Sequence, residues 1–541
     1  DNLRSNQRES AKIEHIVLNL IDTPGHVDFY YEVSRSLAAV EGAILLVDGS
    51  QGIQAQTVAN LHLAKKAGLT IIGAVNKVDL EIPNLDNVIN EISHLLGVKL
   101  GEISKVSGKT GFGAKELLDR LIKEVPPPKV DCEKPFRALI FDSHFDSYKG
   151  VIAYVRVFEG RIKAGEKIYL MTKKAKAEAL EVGVFRPQLE AAGELAAGEI
   201  GYIATGIKDA GLVRVGDTIT LANLPVFPEA LVGYQEPQPV VFASFYTENA
   251  DDFDNFREAL KKLKLTDAAL TYEAEFSEAL GRGFRLGFLG MLHLEIARER
   301  LKREYGLDLI ITTPSVAYRV ATKDKKTAVI YTPQGLPDPA QIESILEPWV
   351  RAKIILPPRY LNPVMTIVKG LRLGQKTVEQ LGEQKMTINF ESPLSDIIVD
   401  FYDRLKSVSM GYASMSYEII GERPGDLVKL DILAAGEEVE AFSRIVPRQA
   451  ALFEGRRLVG KLKEILPRQV FSVSLQAALG GKIIAREDIP AIRKDVTGYL
   501  YGGDYSRKRK LLEKQKRGKK KLKKFGRVEI PHRVFLEILK K

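Results

Sequence analysis

The sequence of 541 residues contains one cysteine, one tryptophan and seven histidines. The lone Cys132 excludes an internal disulfide and fits a reducing compartment, so we expect a cytoplasmic protein. The histidines are scattered, which excludes a metal cage of cysteines and histidines. No apolar run reaches the roughly 18 residues of a membrane span, and no secretory leader precedes the first apolar segment. These absences argue against secreted, disulfide-rich and membrane-spanning classes.

The net charge of +9 is concentrated in one segment near the C-terminus. Residues 507–524 hold twelve basic residues and one acid, a local charge of +11, which leaves −2 for the rest of the chain. Such a run is often only a solvated face, but this density favours binding to a polyanion. Without interleaved aromatics, we expect recognition of folded RNA through its phosphates. The candidate RNA-binding residues are Arg507, Lys508, Arg509, Lys510, Lys514, Lys516, Arg517, Lys519, Lys520, Lys521, Lys523 and Lys524.

Three apolar runs in the N-terminal part predict strands of a parallel sheet that is buried on both faces. They are residues 16–21, 43–47 and 69–75. Residues 55–67 have helical spacing and stop at Gly68. Strands that alternate with helices indicate an α/β fold, in which ligands bind beyond the carboxyl ends of the strands.

Three short polar motifs fall at or near such strand ends: residues 22–26 (DTPGH), 76–79 (NKVD) and 107–109 (SGK). Each alone is common in turns. The ordered set after apolar strands predicts a guanine-nucleotide site.

On the phosphate side, each residue of the first motif has chemistry that suits one task. Asp22 can hold a water of a Mg²⁺ shell, because Mg²⁺ keeps several waters and uses few carboxylates. Gly25 lets the backbone approach a terminal phosphate without obstruction by a Cβ atom. His26 can orient or polarise an attacking water, with a structural turn residue as the alternative.

On the base side, Asp79 offers two oxygens that can accept from the N1–H and 2-amino groups of guanine. Adenine lacks that amino group, so the carboxylate selects against it. Asn76 would brace the neighbouring loops, and the Lys77 stem can cover the base. The full set of candidate base-side residues is Asn76, Lys77, Val78, Asp79, Ser107, Gly108 and Lys109.

Residues 22–29 (DTPGHVDF), followed by residues 32–37 (EVSRSL), resemble the second switch of translational GTPases. From Leu18 to the end the chain is similar to one family of them, elongation factor 4 or LepA. That similarity is carried by residues 287–293 (GFLGMLH), 403–407 (DRLKS), 411–414 (GYAS), 501–504 (YGGD) and 506–516 (SRKRKLLEKQK).

The resemblance implies a ribosome-dependent GTP hydrolase that uses Mg²⁺ with GTP or GDP. The implied partners are both ribosomal subunits, ribosomal RNA and tRNA. The implied activity is a change in the position of the tRNA, in back-translocation, in translational fidelity or in ribosome assembly. No obligate oligomer is expected. Peripheral association with the cytoplasmic face of the inner membrane stays open.

The chain departs from the family at two places. It has no GxxxxGK[ST] loop to cradle phosphates, and no Arg-Gly-Ile-Thr segment with the threonine expected on magnesium. We expect the sequence to be part of a longer protein that contains this loop. Without the loop, this chain alone would be inactive. The alternative is an RNA- or ribosome-binding scaffold whose nucleotide domain is inert. A relative of elongation factor G is disfavoured by the basic tail and the absent fourth domain.

The expected fold class is multidomain α/β and β. Residues 125–128 (VPPP) end the first domain, glycine turns break short strands over 136–221, and a β-α-β-β-α-β order follows. The pattern does not reveal the fold of the last segment. The expected domains are a P-loop-type GTPase domain without its N-terminal part (1–128), a β-barrel (133–230), two ferredoxin-like α+β domains (237–320 and 321–425) and a C-terminal domain with a basic RNA-binding tail (426–541).

Overall fold

The computed structural model divides the chain into two compact units, Asp1–Gln235 and Glu236–Lys541. Among the residues that it describes, no helix is both long and apolar enough to cross a bilayer. The described residues are 16–146, 148–186, 188–231, 238–267, 269–277, 280–381, 385–492, 505–525, 528 and 530–539.

The N-terminal unit begins with a three-stranded parallel sheet in the order β1-β2-β3. The predicted run at 69–75 becomes the central strand, where Ile72, Ala74 and Val75 are fully buried. The predicted helix at 55–67 forms and ends before Gly68, which has a positive φ of 71°. The elements are α1 (Tyr30–Leu37), β1 (Gly42–Asp48), α2 (Ala55–Lys66), β2 (Thr70–Asn76), α3 (Leu85–Leu96), β3 (Ser104–Lys105) and α4 (Ala114–Glu124).

The strand predicted at 16–21 is wrong, because these residues form neither a strand nor a helix. Leu20 is 87% exposed and Val17 78%, whereas Ile21 packs partly against Ala39 and Phe141. A strand forms only when its backbone groups pair with a neighbour. No described strand lies alongside this segment, and the free edge of β1 leaves Leu46 half exposed. An apolar run alone does not provide that neighbour.

A β-barrel follows in the same unit, as the Gly-rich turns indicate. Its core contains Val155, Ile168 and Ile203, all fully buried. The main sheet has the order β10-β9-β12-β5-β4-β13-β7-β8, and β11 pairs with β6. The strands are β4 (Arg137–Asp146), β5 (Gly150–Glu159), β6 (Arg161–Lys163), β7 (Lys167–Leu170), β8 (Ala175–Glu178), β9 (Glu181–Arg186), β10 (Gln188–Ala191), β11 (Glu194–Ala196), β12 (Ile200–Ala204) and β13 (Thr218–Leu221).

The C-terminal unit opens with a ferredoxin-like domain whose antiparallel sheet has the order β15-β16-β14-β17. Phe256 and Leu301, from its two helices, are fully buried in the core. The elements are β14 (Val241–Thr247), α5 (Phe253–Thr266), β15 (Thr271–Ser277), β16 (Gly281–Phe288), α6 (Met291–Tyr305) and β17 (Leu309–Ile311).

A second ferredoxin-like domain is organised around a strand of 15 residues, β20, which pairs with β18, β22 and β23. The strands β18 and β19 extend this sheet beyond the β-α-β-β-α-β unit predicted by the sequence pattern. The elements are β18 (Tyr318–Thr322), β19 (Thr327–Ile330), β20 (Ile342–Leu356), α7 (Leu361–Val368), β21 (Lys376–Leu381), β22 (Lys385–Pro393), α8 (Leu394–Ile398), α9 (Phe401–Val408) and β23 (Ser414–Pro424).

The C-terminal domain is a five-stranded antiparallel sheet that packs on α10 and α12. Phe535 of α12 stacks on Phe442 with ring centroids 5.0 Å apart. Val528 and Ile530 also pack on this core. The elements are β24 (Leu427–Ala434), β25 (Glu437–Glu438), β26 (Arg444–Pro447), α10 (Ala451–Ile465), β27 (Val473–Leu479), β28 (Lys482–Ile489), α11 (Tyr505–Phe525) and α12 (His532–Leu539).

Two glycines of the N-terminal α/β domain test how closely β3 approaches the start of α4. Gly97 and Gly113 have similar φ angles, 75° and 70°. A Cβ atom added at Gly97 would meet open space, whereas one added at Gly113 would lie 1.9 Å from the Lys105 carbonyl oxygen. Gly97→Ala should therefore cost about 1 kcal/mol from backbone strain alone. In calorimetry, Gly113→Ala should lower the melting temperature clearly more than Gly97→Ala does. Equal losses would contradict the close approach of β3 to the start of α4.

Candidate nucleotide-binding site

The Asn76 side chain, at the last residue of β2, joins two loops. Its Oδ1 accepts a hydrogen bond from the Lys77 backbone N–H at 2.8 Å and another from the Gly108 backbone N–H at 3.0 Å. The loop after β2 and the loop after β3 are therefore held together at one edge of the parallel sheet. This is the edge where α/β folds bind ligands.

Asp79 and Ser107 meet across the same two loops. The Ser107 hydroxyl donates to Asp79 Oδ1 at 2.7 Å and accepts from the Thr110 N–H at 3.2 Å. The bond from Ser107 lowers the pKa of the exposed Asp79 carboxyl, helped by the charge of Lys109. The carboxylate is thus ionised at neutral pH. The N–H of Val78 donates to the Val106 carbonyl at 3.4 Å and completes the link between the loops.

Lys77 adopts a left-handed backbone conformation with a φ of 67°, which is strained for a residue with a side chain. Two contacts hold it: the N–H bond to Asn76, and an ion pair of 2.7 Å between its Nζ and Asp48 Oδ2. Partial burial raises the pKa of Asp48, but hydrogen bonds from Lys77 and Ser50 outweigh burial and lower it.

Asp48 was not among the residues predicted from the sequence. Its position in the sequence could have indicated it, because Asp48 directly follows the apolar run 43–47 and precedes Gly49 and Ser50. A residue at the carboxyl end of a parallel strand lies at the ligand-binding edge of the sheet. Ser50 donates to Asp48 Oδ1 from its N–H at 2.9 Å and from its hydroxyl at 2.6 Å.

The phosphate-side motif lies in the irregular segment before α1. Asp22 is exposed, and its Oδ1 accepts from the Thr23 N–H at 2.9 Å. An added Cβ at Gly25 would meet no atom within 4 Å, so packing within the chain does not require this glycine. The Gly25 carbonyl accepts from Asn60 Nδ2 at 3.4 Å, which ties the segment to α2. The space at Gly25 is the feature that a ligand phosphate would need.

His26 is half-buried at the start of the short turn 27–29. Its Nδ1 accepts from the Asp28 N–H at 3.3 Å, and Asp28 itself is buried. Nδ1 also lies 4.0 Å from Asp28 Oδ1, so two contacts hold the imidazole ring beside Asp28.

Two ion pairs connect the region just after the phosphate-side motif to the β-barrel. Arg35, on α1, lies 3.3 Å from Asp142, and Glu41 lies 2.6 Å from Arg156, whose side chain is only 5% exposed. Ala39 and Phe141 pack together beside them. These contacts cross between domains, so no local pattern in the sequence could indicate them.

The two halves of the predicted site thus differ in how they are assembled. The base-side residues form one hydrogen-bonded group, whereas Asp22, Gly25 and His26 share the segment before α1, which Asn60 ties to α2. The described residues contain no cluster of three or more histidine, cysteine, aspartate or glutamate side chains suited to a metal.

The basic segment forms most of the 21-residue helix α11. Arg509 pairs with Glu513 at 3.3 Å on the exposed surface of the helix. Arg507, Lys510, Lys514 and Lys516 are exposed and Lys508 is half-buried. The side chains of the remaining candidates lie outside the described part: Arg517, Lys519, Lys520, Lys521, Lys523 and Lys524.

Five family models match successive parts of the chain. They are the elongation factor Tu GTP binding domain (residues 5–127), elongation factor Tu domain 2 (150–220), elongation factor G domain III (236–313), the elongation factor G C-terminus (344–433) and the GTP-binding protein LepA C-terminus (434–540). Their order agrees with the order of domains in the structure.

Curated relatives match nearly the whole chain. Elongation factor 4 of Rhodococcus opacus (strain B4) is 50% identical over 526 residues, which are 97% of this chain and 83% of the relative. Elongation factor 4 of Clavibacter sepedonicus is 51% identical over 525 residues, 96% of this chain and 85% of the relative. That of Mycobacterium leprae (strain TN) is 49% identical over 97% of this chain and 81% of the relative. The chain therefore belongs to the elongation factor 4 (LepA) family of translational GTPases.

Proposed function

We propose that the protein is a ribosome-stimulated GTP hydrolase that binds ribosomes carrying tRNA and remodels the position of the tRNA. The observation that carries the proposal is the assembly of Asn76, Asp79 and Ser107 into one hydrogen-bonded group at the sheet edge. Back-translocation and a role in fidelity or assembly are the outcomes that we assign to this remodelling. The protein works in the cytoplasm, and no obligate oligomer is needed.

The base-side group supplies the selectivity for guanine. Asp79 Oδ1 is oriented by Ser107, and the exposed carboxylate keeps capacity to accept from the N1–H and 2-amino groups. Asn76 holds the loops, and its bond to Gly108 N–H fixes the 107–109 loop beside Asp79. The Lys77 stem, directed by the ion pair with Asp48, covers the base, while Val78 and Lys109 complete the pocket.

The phosphate-side segment supplies the chemistry. Asp22 would hold Mg²⁺ through water, and the bound ion would neutralise charge that develops on the transferred phosphate. Gly25 leaves room for a terminal phosphate at its backbone. His26, half-buried directly after Gly25, orients or polarises the attacking water.

The ion pairs that Arg35 and Glu41 make with the barrel would transmit a change at the nucleotide to the arrangement of the domains. A change in residues 22–29 on hydrolysis would act on α1, which begins four residues after His26. The Arg35–Asp142 ion pair connects α1 to β4, and the Glu41–Arg156 ion pair connects the residues between α1 and β1 to β5. Order and release of such segments by the γ-phosphate is a general switching device.

The basic helix α11 supplies a contact to ribosomal RNA. Its exposed Lys510 and Lys514 suit phosphates, which dominate the affinity of such contacts. We assign ribosomal RNA and tRNA, within a ribosome engaged through both subunits, as the partners. A peripheral attachment to the inner membrane is a further possible use of the same charge.

A scaffold with an inert nucleotide domain is the second candidate, because the exposed lysines of α11 would bind RNA without any nucleotide. The two functions differ in one observable property. A GTPase switch requires the affinity for ribosomes to depend on the nucleotide, whereas a scaffold binds ribosomes equally with or without it.

Replacing His26 with alanine should lower the ribosome-stimulated rate of GTP hydrolysis by about 10²-fold or more, as expected for a group that positions a proton transfer. GTP affinity should stay nearly unchanged, because His26 takes no part in base recognition. Phosphate release with and without ribosomes measures the rate. The control is His62→Ala, an exposed histidine on α2. A parallel loss of GTP binding would refute the role of His26.

Asp79→Asn should reduce the preference for GTP over ITP, which lacks the 2-amino group, by about ten-fold or more, because a hydrogen bond to a charged group is worth about 1.5–3 kcal/mol. Competition of GTP and ITP for the binding of labelled GTP measures this preference. Asp86→Asn, on the exposed surface of α3, serves as the control. An unchanged preference would show that Asp79 does not read the base.

Reversing two exposed charges of α11, Lys510→Glu with Lys514→Glu, should weaken ribosome binding. The plot of log affinity against log salt should become shallower by about 1–2, since each lysine that contacts a phosphate contributes about one to this slope. The double variant Lys302→Glu with Arg303→Glu changes the net charge equally on the exposed side of α6. If both pairs have the same effect, α11 is not the RNA contact.

A further inference from the structure

The C-terminal unit contains a cleft of about 750 Å³ where its three domains meet. The first ferredoxin-like domain contributes Phe242 of β14, the second contributes Arg404 of α9, and the C-terminal domain contributes Arg444 of β26. This volume lies within the range of sites for small organic molecules. The cleft is separate from the nucleotide site, which belongs to the N-terminal unit.

Arg444 is a half-buried cation for which no ion pair is found in the part of the chain that the structure describes. Its Nε is shielded from solvent and makes no hydrogen bond. Burial lowers the pKa of the Arg444 guanidinium, and the nearby charge of Arg457 adds to this effect. Arginine nevertheless keeps its proton in proteins. A partly desolvated charge without an ion pair is unfavourable, so this site would gain from an anion.

Most of the other arginines that line the cleft are already paired with carboxylates. Arg372 is held by Glu347 and Asp396, and Arg457 by Glu454. Arg285 is paired with Glu273 and lies over the Tyr331 ring. Arg404 is exposed, and no ion pair of it is found among the described residues. Arg404 and Arg444 are therefore the two cations available to a ligand.

Acidic side chains also line the cleft and could have cancelled this charge. Glu454 and, to a smaller extent, Asp400 favour the charged form of Arg444, but neither makes an ion pair with it among the described residues. Glu454 is instead paired with Arg457. Neither carboxylate supplies the hydrogen-bond partner that Arg444 Nε lacks.

A second shielded polar atom belongs to a residue of the same cleft. The Glu275 carboxylate, on β15, interacts with the Tyr246 side chain, but its Oε2 atom is shielded from solvent and has no hydrogen-bond partner among the described residues. A carboxylate oxygen can accept only from a donor such as a hydroxyl group. Aromatic side chains of Phe242 and Tyr331 add an apolar wall, with ring centroids 4.6 Å apart.

We propose that this cleft binds a small organic phosphate that carries hydroxyl groups, of sugar-phosphate or nucleoside-monophosphate size. Arg444 and Arg404 bind the phosphate, which matches the planar fork of a guanidinium. Glu275 accepts from a hydroxyl group, and the apolar wall contacts the organic part. Because the cleft is lined by all three domains of the unit, the ligand stabilises their arrangement.

Thermal unfolding and calorimetric titration of the whole protein test this site with three probes: inorganic phosphate, glucose 6-phosphate and AMP. At matched ionic strength, each probe should raise the melting temperature above that in chloride, in a saturable way. At least one organic phosphate should bind ten-fold or more tightly than inorganic phosphate. Equal affinities for all three would refute the organic ligand, and no effect beyond that of chloride would refute the site.

Arg444→Met is the decisive variant. Removing a half-buried cation that has no ion pair should leave the protein at least as stable in chloride, while the stabilisation by phosphate compounds disappears. Arg486→Met, an exposed arginine on β28 that pairs with Asp488, should keep the full effect. Should Arg444→Met fail to fold, Arg404→Met, at an exposed position, must weaken binding at least ten-fold. Unchanged binding in whichever of the two variants folds would overturn the proposal.

Discussion

The nucleotide domain depends on the hydrogen bonds that converge on the side-chain oxygen of Asn76. One atom accepts from the loop after β2 and from the loop after β3, and so fixes the distance between Asp79 and Ser107. The left-handed conformation of Lys77 is tolerated because the same oxygen binds its N–H and Asp48 binds its ammonium group. A backbone held this way is prepared for its ligand before the ligand arrives, which reduces the entropy cost of binding.

The phosphate-side segment is constrained more loosely, and this contrast suits a switch. The weak bond from Asn60 holds Gly25, and Asp22 contacts only its neighbour Thr23. Beyond the segment, Arg35 anchors α1 to the barrel, and Glu41, which follows α1, pairs with the buried Arg156. In the function that we propose, these ion pairs pass a local change at the phosphate on to the barrel. The basic helix α11 lies in the other unit.

Much of the fold was predictable because local patterns determine it. The apolar run at 69–75 and the glycine stop at Gly68 gave β2 and α2, and the β-α-β-β-α-β order gave both ferredoxin-like domains. The run at 16–21 was misleading, since apolar character cannot supply a neighbouring strand. The C-terminal domain was not predictable, because its sheet pairs β24 with β27 across more than forty residues and its core includes α12 from the end of the chain.

The candidate site shows the same division. The base-side motif could be read from the sequence because its residues follow strands of a parallel sheet, and the structure brings them together. Asp48 had a signal in its position after β1, but Arg156 and Glu41 are 115 residues apart and meet only through the packing of two domains. The cleft around Arg444 likewise exists only in three dimensions.

The central claim, that the nucleotide controls engagement with the ribosome, is tested most directly by co-sedimentation with ribosomes. The protein would be incubated with ribosomes and either a non-hydrolysable GTP analogue or GDP, at one salt concentration. The account predicts clearly tighter binding with the GTP analogue than with GDP. Equal binding with both nucleotides, and without any nucleotide, would contradict it and identify a scaffold that binds RNA.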